Sequence, residues 1–340
     1  MVLPLPFLEG AFTMKTLEPS AASPVHENGA SGAVLRKKTG FFRSIAHDYQ
    51  LWIMILPAII YIAVFCYGPM YGIQLAFKDF DFTKGLTGGN WAGMKYFNQY
   101  FSSPMFLPTL RNTFLLSGMS IVLGFPLPIL LAIVINSIKG SGRKRVLETT
   151  VYMPFFISTV VMVALLQIML DPTGGIINDL LLKLHIISAN ANLLGDPDKF
   201  IWTYSLSGVW QTCGWNSIIY IAALSSVDSQ LYDASKIDGA NRDQIVWHVE
   251  LPAIMPTIII LLIMTMGSIL NVGFEKIFLM QNSLNKSVSE VISTYVYNVG
   301  VKSCQFSFGS AVGLFNTLVN FVFVMLANFI SKRVCDISII

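Results

Sequence analysis

The fold class is decided by one uncharged stretch, Thr113 to Ile138, which reads TFLLSGMSIVLGFPLPILLAIVINSI. A helix needs about 20 predominantly apolar residues to cross the hydrocarbon core of a bilayer, and this stretch meets that length. Other uncharged, largely apolar stretches of similar length are Leu51 to Phe77, Val151 to Leu170, Ile201 to Leu224, Ile254 to Val272 and Phe308 to Ile330. The sequence therefore predicts an all-α integral membrane protein with six transmembrane helices.

The composition agrees with a membrane location. Of the 340 residues, 54% are hydrophobic and only 12% are charged, and the mean hydropathy is +0.62. Soluble domains carry about 25% charged residues because their surface faces water. The net charge of +3 is too small to indicate a nucleic-acid partner. The cysteines are too scattered to indicate a disulfide framework or a metal site: Cys66, Cys213, Cys304 and Cys335.

The basic residues cluster on one side of the predicted spans. One cluster precedes the first span, one lies between the second and third, and one follows the sixth: Arg36, Lys37, Lys38 and Arg43; Lys139, Arg143, Lys144 and Arg145; Lys332 and Arg333. Cytoplasmic loops of membrane proteins are enriched in Lys and Arg. We therefore expect both termini to lie in the cytoplasm.

The chain before the first span differs from the rest. Glu18 to Val34 is rich in Ser, Ala, Gly and Pro and has no apolar period, which predicts disorder. The opening residues lack the basic n-region and the cleavage site of a signal peptide, and Met1 and Met14 are both candidate starts. We predict a disordered cytoplasmic tail over 1–48, a six-span transmembrane domain over 49–333 and a second cytoplasmic tail over 334–340.

The loop between the fourth and fifth spans has a helical pattern of its own. It reads VDSQLYDASKIDGANRDQIVWHVELPAIMP, Val227 to Pro256. Apolar residues recur at helical spacing from Leu231 to Ala240, and Gly239 can end this first helix in a left-handed conformation. A second amphipathic run ends before Pro252. The pattern predicts two short helices that meet at a bend near Gly239.

Seven residues of this loop resemble the cytoplasmic EAA motif of permeases in binding-protein-dependent ABC importers. That motif reads Glu-Ala-Ala, three residues, Gly, nine residues, an aliphatic residue, one residue and Leu-Pro. The spacing is kept by Asp233, Ala234, Ser235, Gly239, Val249, Leu251 and Pro252. Asp233 stands in place of the glutamate, and Ser235 in place of the second alanine. The resemblance implies that this coupling loop docks on an ATPase and transmits its movement to the spans.

The resemblance covers roughly Tyr49 to Arg333 and extends to the carbohydrate branch of the family, including alginate-type importers. The segments that carry it are Thr173 to Asn178, Gly208 to Trp210, Gly273 to Met280, Thr294 to Tyr297 and Gly313 to Phe315. It implies an oligosaccharide as substrate, alternating access as mechanism and the bacterial inner membrane as location. The implied partners are two ATP-hydrolysing subunits, a second homologous permease and a periplasmic or lipid-anchored solute-binding protein.

The sequence contains no recognisable ATP-binding motif that could power transport. No phosphate-binding loop of the form G-x-x-x-x-G-K-[ST] occurs in it. We therefore expect no cofactor in this chain, with ATP and Mg bound by partner subunits. The predicted spans contain no acid or histidine, which argues against a membrane enzyme and against an ion-coupled carrier. The alternative function is a self-sufficient channel or secondary carrier, which would not retain an ATPase on purification.

Polar and aromatic residues in or beside the spans are candidates for the substrate pathway: Trp210, Gln211, Trp215, Asn216, Asn271 and Asn316. Sugar hydroxyls need hydrogen bonds, and the C–H faces of sugars stack on aromatic rings. The alternative role for each residue is packing between helices. Glu275 and Lys276 follow the fifth span, and we expect them to form a local ion pair or to snorkel near the outer face.

Overall fold

The structure is a computed structural model that describes residues 49–85, 88–187 and 192–335. Within these ranges the chain is helical apart from its connections and two isolated β-bridges. The predicted all-α class is therefore confirmed. The predicted tail 1–48 lies outside the described residues, as does the part of the predicted tail 334–340 that follows Cys335.

The helices up to residue 187 are, in chain order, α1 (Tyr49–Tyr61), α2 (Gly68–Met70), α3 (Lys95–Phe101), α4 (Phe106–Gly124), α5 (Pro126–Ser137), α6 (Ser141–Tyr152), α7 (Thr159–Met169) and α8 (Ile176–Lys183). Wider π-type turns follow α1 (Ile62–Tyr67), and tight 3₁₀ turns follow α2 (Tyr71–Phe77) and α6 (Met153–Phe156). Two compact units meet in the sequence at Tyr61 and Ile62. Helix α1 is the described part of the first unit, and no residue of it is buried.

The helices after residue 192 are α9 (Pro197–Ser225), α10 (Ser229–Ile237), α11 (Arg242–Ile245), α12 (Leu251–Met266), α13 (Phe274–Met280), α14 (Lys286–Ser289), α15 (Ile292–Val296) and α16 (Phe306–Cys335). Wide π-type turns lie between α11 and α12 (Val246–Glu250) and after α15 (Tyr297–Lys302). Helix α9 has 29 residues and α16 has 30. At 1.5 Å per residue, both are long enough to cross a hydrocarbon core of about 30 Å.

Four stretches of the described chain are both long and apolar enough to cross a membrane: Tyr49–Phe77, Phe106–Ser137, Arg242–Met266 and Phe306–Arg333. They correspond to the first, second, fifth and sixth predicted spans. The third predicted span is a pair of helices, Ser141–Phe156 and Thr159–Met169, bent by 94°. The fourth is α9, which has the length but a more polar composition. By length and composition the described chain thus has four spans, or five with the bent pair, and the count of six stays a prediction.

The bend in the third predicted span has a local cause. Pro154 lies in the tight turn that ends the first half, and Ser158 caps the second half by accepting a hydrogen bond from the Val161 amide (3.4 Å). The side-chain amide of Gln211 on α9 donates to the Ile157 carbonyl at the bend (2.9 Å). A neighbouring helix thus satisfies a carbonyl that the broken helix leaves free, which is how membrane proteins tolerate interrupted spans.

Helix α9 lies at the centre of the larger unit and packs against α4, α5, α6 and α12. Near its start, Phe200 and Tyr204 join a buried cluster that includes Leu116 of α4. Near its end, Tyr220 and Leu224 join a second buried cluster formed with α5 and α12. Because other helices cover several sides of α9, its sequence can carry polar groups that lipid would not accept.

The basic-residue asymmetry generates a topology prediction. A reporter that is active only in the cytoplasm should work in one set of fusions, after Lys144, Asp243 or Lys332, and be silent in the other, after Lys84, Lys183 or Lys286. The measurement is reporter activity normalised to the amount of fusion protein. The opposite pattern at any two of these sites would contradict the six-span topology.

Candidate functional site

The first helix of the coupling loop, α10, is fixed at both ends by its own sequence. The Asp228 side chain caps its start by accepting a backbone hydrogen bond of 2.9 Å. At its end Gly239 has a φ of +74° and donates to the Lys236 carbonyl (3.1 Å). The Ala240 amide donates to the Ser235 carbonyl (2.9 Å). A left-handed residue with these two bonds is a Schellman termination, so the predicted bend at Gly239 is present.

The second helix of the loop, α11, begins with a reciprocal cap. The Asn241 side chain accepts a hydrogen bond from the Gln244 amide (2.9 Å), and the Gln244 side chain accepts one from the Asn241 amide (2.7 Å). This capping box fixes the direction of the chain after the bend. The turns Val246–Glu250 then lead into α12, whose first turn holds Pro252. Proline is favourable there because the first turn of a helix leaves its amides unbonded. The motif therefore ends where α12 begins.

One face of α10 is apolar and uncovered. Leu231, Ala234 and Ile237 occur every three residues, so they lie on the same side of the helix, and we call them the α10 apolar face. All three are exposed, and Ile237 is exposed to 86%. Trp247, in the turns after α11, is exposed to 68%. Exposed apolar groups of this size concentrated in a short loop are typical of a surface that binds protein.

The other motif residues have local structural roles. Asp233 forms an exposed ion pair with Lys236, with the ammonium 2.9 Å from the carboxylate. The Ser235 hydroxyl donates to a carbonyl of its own helix. Val249 and Leu251 are half-buried, and Leu251 packs against the buried cluster between α5, α9 and α12. The end of the motif, at Leu251, thus packs against the helix bundle, whereas its start, at Asp233 and Ala234, is exposed on α10.

A buried carboxylate, absent from the sequence prediction, anchors the loop. The Glu250 side chain is 0% exposed, and its two oxygens accept hydrogen bonds of 2.9 and 2.8 Å from the Arg242 guanidinium. The Asn136 side-chain amide (3.0 Å) and the Tyr232 hydroxyl (3.2 Å) donate to the same carboxylate. Arg242 also donates to the Ser137 hydroxyl. The carboxylate is therefore both paired and hydrogen-bonded, as a buried charge must be.

The Glu250 network joins four elements. It connects α10 through Tyr232, α11 through Arg242, the end of α5 through Asn136, and the start of α12 through Glu250 itself. Removing one partner of a fully buried ion pair costs about 3–5 kcal/mol because the remaining charge has no counter-ion. Here the Arg242 side chain is 41% exposed, so solvent screens the pair and the cost lies below that range. Helix α10, through Tyr232, and α5, through Asn136, are both hydrogen-bonded to the Glu250 carboxylate, so the two cannot separate without breaking one of these bonds. The coupling loop and the adjoining ends of α5 and α12 therefore form one mechanical unit.

A cavity of about 440 Å³ lies between α4, α5, α9 and α12. Its size is within the range of about 300–1,000 Å³ that is usual for ligand clefts. Its polar lining consists of hydroxyls, side-chain amides and one ammonium, from Ser120, Tyr204, Ser205, Gln211, Thr212, Asn216, Tyr220, Thr265 and Lys276. A smaller cavity of about 140 Å³ shares part of this wall and reaches Asn271. The two cavities together give the space between α4, α9 and α12 a partly polar lining.

Four of the six predicted pathway residues lie in or beside these cavities. Gln211 and Asn216 line the larger cavity, and Asn271 lines the smaller one. The Asn316 side chain donates to the Asn271 side-chain oxygen (3.1 Å), which joins α16 to the same region. Gln211 also bonds the bend of the third predicted span, so it has a structural role as well. Contact of these residues with a substrate stays a prediction.

The two predicted tryptophans lie elsewhere. Trp210 and Trp215 are exposed and line neither of the two cavities. The Trp215 ring stacks on the Phe155 ring with centroids 4.3 Å apart, beside the bend of the third predicted span. Trp210 is about 100° from Gln211 around α9, whereas Trp215, one turn after Gln211, packs against Phe155 instead of lining a cavity.

Lys276 does not form the predicted ion pair with Glu275. Its side chain is 8% exposed, and its ammonium donates to the Tyr204 carbonyl (2.7 Å) and lies 4.5 Å from the centre of the Tyr204 ring. Lys276 takes part in no ion pair within the described ranges, and Glu275 is exposed. Burial lowers the pKa of the Lys276 ammonium to about 7, because loss of water disfavours the charged form. Helix α13 directs this side chain into the bundle, which the sequence pattern did not indicate.

The lining of the larger cavity is suited to binding a polar ligand. No carboxylate, histidine or cysteine is among its lining residues. In the described part of the chain, no group of His, Cys, Asp or Glu side chains could hold a metal ion. Its hydroxyls, amides and aromatic rings can instead bind a polar ligand through hydrogen bonds and ring contacts.

Comparison with known proteins places these features in a family context. Residues 104–335 match the family model described as binding-protein-dependent transport system inner membrane component. The chain is 40% identical over 298 residues to the polygalacturonan/rhamnogalacturonan transport system permease protein YteP of Bacillus subtilis (strain 168), covering 88% of this chain and 92% of that protein. It is 36% identical over 297 residues to protein LplB of the same organism, covering 87% and 93%.

Two solved structures are similar in fold and sequence. A chain of a bacterial ABC transporter involved in the import of the acidic polysaccharide alginate has a TM-score of 0.79 and 37% identity, over 86% of this chain and 99% of that chain. A chain of a bacterial alginate ABC transporter in complex with an alginate pentasaccharide-bound periplasmic protein has a TM-score of 0.80 and 36% identity, over 88% and 99%. The similarity therefore extends over nearly all of the described helices.

The Schellman termination generates a prediction for Gly239. No atom lies within 4 Å of the place where a Cβ would stand, so a substitution there acts through backbone conformation alone. Gly239→Val should destabilise the left-handed conformation by about 1–2 kcal/mol, whereas Gly239→Asn, a residue that tolerates it, should not. We expect faster amide hydrogen exchange in residues 229–240 of the valine variant. Equal exchange in the two variants would contradict this role for the bend.

The Glu250 network generates a second prediction. Arg242→Ala leaves a fully buried carboxylate without its counter-ion and should lower the melting temperature of the purified chain by several degrees, the pair being screened on the exposed Arg242 side. Lys236→Ala is the matched control, because it breaks an exposed pair of the same loop that is worth at most about 1 kcal/mol. Similar shifts for the two variants would show that the buried pair has no special role in stability.

Proposed function

Because the chain belongs to the family of binding-protein-dependent transport system inner membrane components, we propose that it forms half of the translocation pathway of an ABC importer for an oligosaccharide. It is a permease subunit and not an enzyme. Its relatives support a saccharide substrate: YteP is a polygalacturonan/rhamnogalacturonan permease, and both similar structures are alginate transporters. The proposed location is the bacterial inner membrane, with both termini in the cytoplasm.

The observation that carries the proposal is the α10 apolar face held on the Glu250 network. An exposed apolar helix face needs a protein partner, and rigid attachment to α5 and α12 lets that partner move the spans. A loop that only lay in solvent would need neither property. The proposed partner at this face is an ATP-hydrolysing subunit, which also binds the ATP and Mg.

The complete importer that we propose has further subunits. Two ATP-hydrolysing subunits, one under each permease, close on ATP, and a second homologous permease completes the pathway. A periplasmic or lipid-anchored solute-binding protein delivers the oligosaccharide to the outer face. Support for that delivery step comes from the similar chain in the alginate transporter, which was solved with a substrate-bound periplasmic protein.

The mechanism proposed for this chain is alternating access. Closure of the ATPases displaces the coupling loop, and the Glu250 network transmits the displacement to α5 and α12. Both helices form walls of the 440 Å³ cavity, so its shape changes when the loop moves. Gln211, Asn216 and Asn271 are the proposed hydrogen-bonding partners of the sugar along this route.

The direct test is a charge placed on the α10 apolar face. Ala234→Arg should reach the membrane at wild-type levels yet lose its ATPase on purification, because burying an unpaired charge at an interface costs several kcal/mol. Each 1.4 kcal/mol weakens association about tenfold. The readout is the ratio of ATPase to permease in the purified complex.

The control for this test is Lys144→Ala, which removes a charge from another loop on the same predicted side. That variant should keep its ATPase. If Ala234→Arg retains ATPase and transport at wild-type levels, the docking proposal is wrong. A wild-type chain that never co-purifies with an ATPase would favour a self-sufficient channel or secondary carrier.

A further inference from the structure

A groove of about 340 Å³ opens on the surface of the helix bundle between α13, α15 and α16. Two of its lining residues are polar, Ser293 and Asn316, but the Ser293 hydroxyl and the Asn316 side-chain oxygen are buried in the protein. The rest of the lining is hydrocarbon and glycine, from Phe274, Ile292, Val296, Tyr297, Val301 and Gly313. We call these residues the α16 groove, and it presents an apolar surface to its occupant.

Gly313 makes room for the α16 groove. No atom of the described chain lies within 4 Å of the place where its Cβ would stand. The glycine one turn earlier is different, because a Cβ on Gly309 would stand 2.8 Å from the Cα of Gly300. Gly309 is therefore needed for close packing within the protein, whereas the missing side chain of Gly313 leaves open space on α16.

The depth of the α16 groove corresponds to one leaflet of a bilayer. The apolar stretch that contains α16 begins at Phe306. At 1.5 Å per residue, Gly313 lies about 10 Å and Asn316 about 15 Å from that start, and the hydrocarbon core is about 30 Å thick. The groove therefore reaches from the end of the apolar stretch to about the bilayer midplane. Helix α12 separates this region from the coupling loop, so the leaflet is the one opposite the loop.

An exposed cation lies beside the groove. The Lys302 ammonium is 5.0 Å from the centre of the Phe278 ring and 5.3 Å from that of Tyr297, which lines the groove. Lys302 precedes Phe306 by four residues, which places it at the level of the lipid headgroups. It takes part in no ion pair within the described ranges, and the exposed Glu275 on α13 does not pair with it either. The two rings hold the ammonium in place but do not neutralise its charge.

We infer that the α16 groove is a binding site for an anionic phospholipid of this leaflet, with one acyl chain in the groove and the headgroup phosphate on Lys302. The apolar lining and its depth match the acyl chain, and the unpaired ammonium at the headgroup level matches the phosphate. An apolar occupant without charge would fill the groove but leave Lys302 unmatched. Phosphatidylglycerol therefore binds more tightly than a zwitterionic lipid of the same chain length.

The test uses phosphatidylglycerol that carries a photoreactive diazirine in one acyl chain. The lipid is added in detergent to the purified full-length chain and, separately, to the permease–ATPase complex, and crosslinked residues are mapped by mass spectrometry. Residues 292–301 and 313–316 should carry most of the crosslinks in both preparations. Gly313→Leu, which fills the groove, should reduce them at least about tenfold. Gly118→Leu is the matched control, because it fills an equally open position on α4 and should leave them unchanged.

The headgroup contact is tested by competition, which also covers the case in which Gly313→Leu does not fold. Unlabelled phosphatidylglycerol should displace the photoprobe about fivefold more effectively than phosphatidylcholine, the usual effect of one basic residue near an anionic headgroup. Lys302→Gln should bring the two lipids close to equal, whereas Lys302→Arg should keep the preference. Lys302 is exposed, so these variants leave the helix packing intact.

Three results would overturn the inference. Crosslinks spread evenly over the apolar helices, or unaffected by Gly313→Leu, would show that lipid only surrounds the protein without occupying a site. Crosslinks that disappear in the permease–ATPase complex would show that another subunit covers the groove. An unchanged preference for phosphatidylglycerol in Lys302→Gln would show that Lys302 does not bind the headgroup.

Discussion

The buried carboxylate of Glu250 is the constraint on which the geometry of the coupling loop depends. A charge with no solvent exposure must be compensated within the protein, and here Arg242, Asn136 and Tyr232 provide that compensation. These three partners come from three different elements, so satisfying one carboxylate fixes the position of the loop relative to α5 and α12. The exposed α10 apolar face is therefore held on a rigid support. A loop attached only by its two ends could move independently of α5 and α12.

Two buried charges of this chain have opposite surroundings. Glu250 is fully satisfied by side chains of the same chain, which is typical of an anchor. Lys276 has a carbonyl and an aromatic ring but no carboxylate, and it lines the larger cavity. Burial lowers the pKa of this ammonium to about 7, because loss of water disfavours the charged form. The cavity and the Glu250 network share α5 and α12.

Local sequence patterns predicted much of this structure. The absence of charge over stretches such as Thr113 to Ile138 identified the apolar helices, because lipid excludes charged groups wherever they occur. The bend at Gly239 was also predictable, since a left-handed helix end depends on one residue. Contacts between distant residues were not: Glu250 and Asn136 are 114 positions apart, and Lys276 and Tyr204 are 72 apart. A lone acid beside an apolar stretch was the available signal for Glu250. The 94° bend and the polar residues of α9 are tolerated because neighbouring helices cover them. A test of length and composition therefore finds four or five spans in the described chain, and the count of six stays a prediction from the sequence.

If the coupling loop and the end of α5 move as one unit, the distance between them stays constant whether or not ATP is bound. The most direct measurement is a spin-label distance between Asp238→Cys, at the end of α10, and Lys139→Cys, just beyond α5, in the assembled importer with the native cysteines replaced. Both positions are exposed, so the labels should not disturb the buried network. We expect a single narrow distance distribution that is the same with and without ATP. A distance that changes on ATP binding, or a broad distribution in either state, would contradict it.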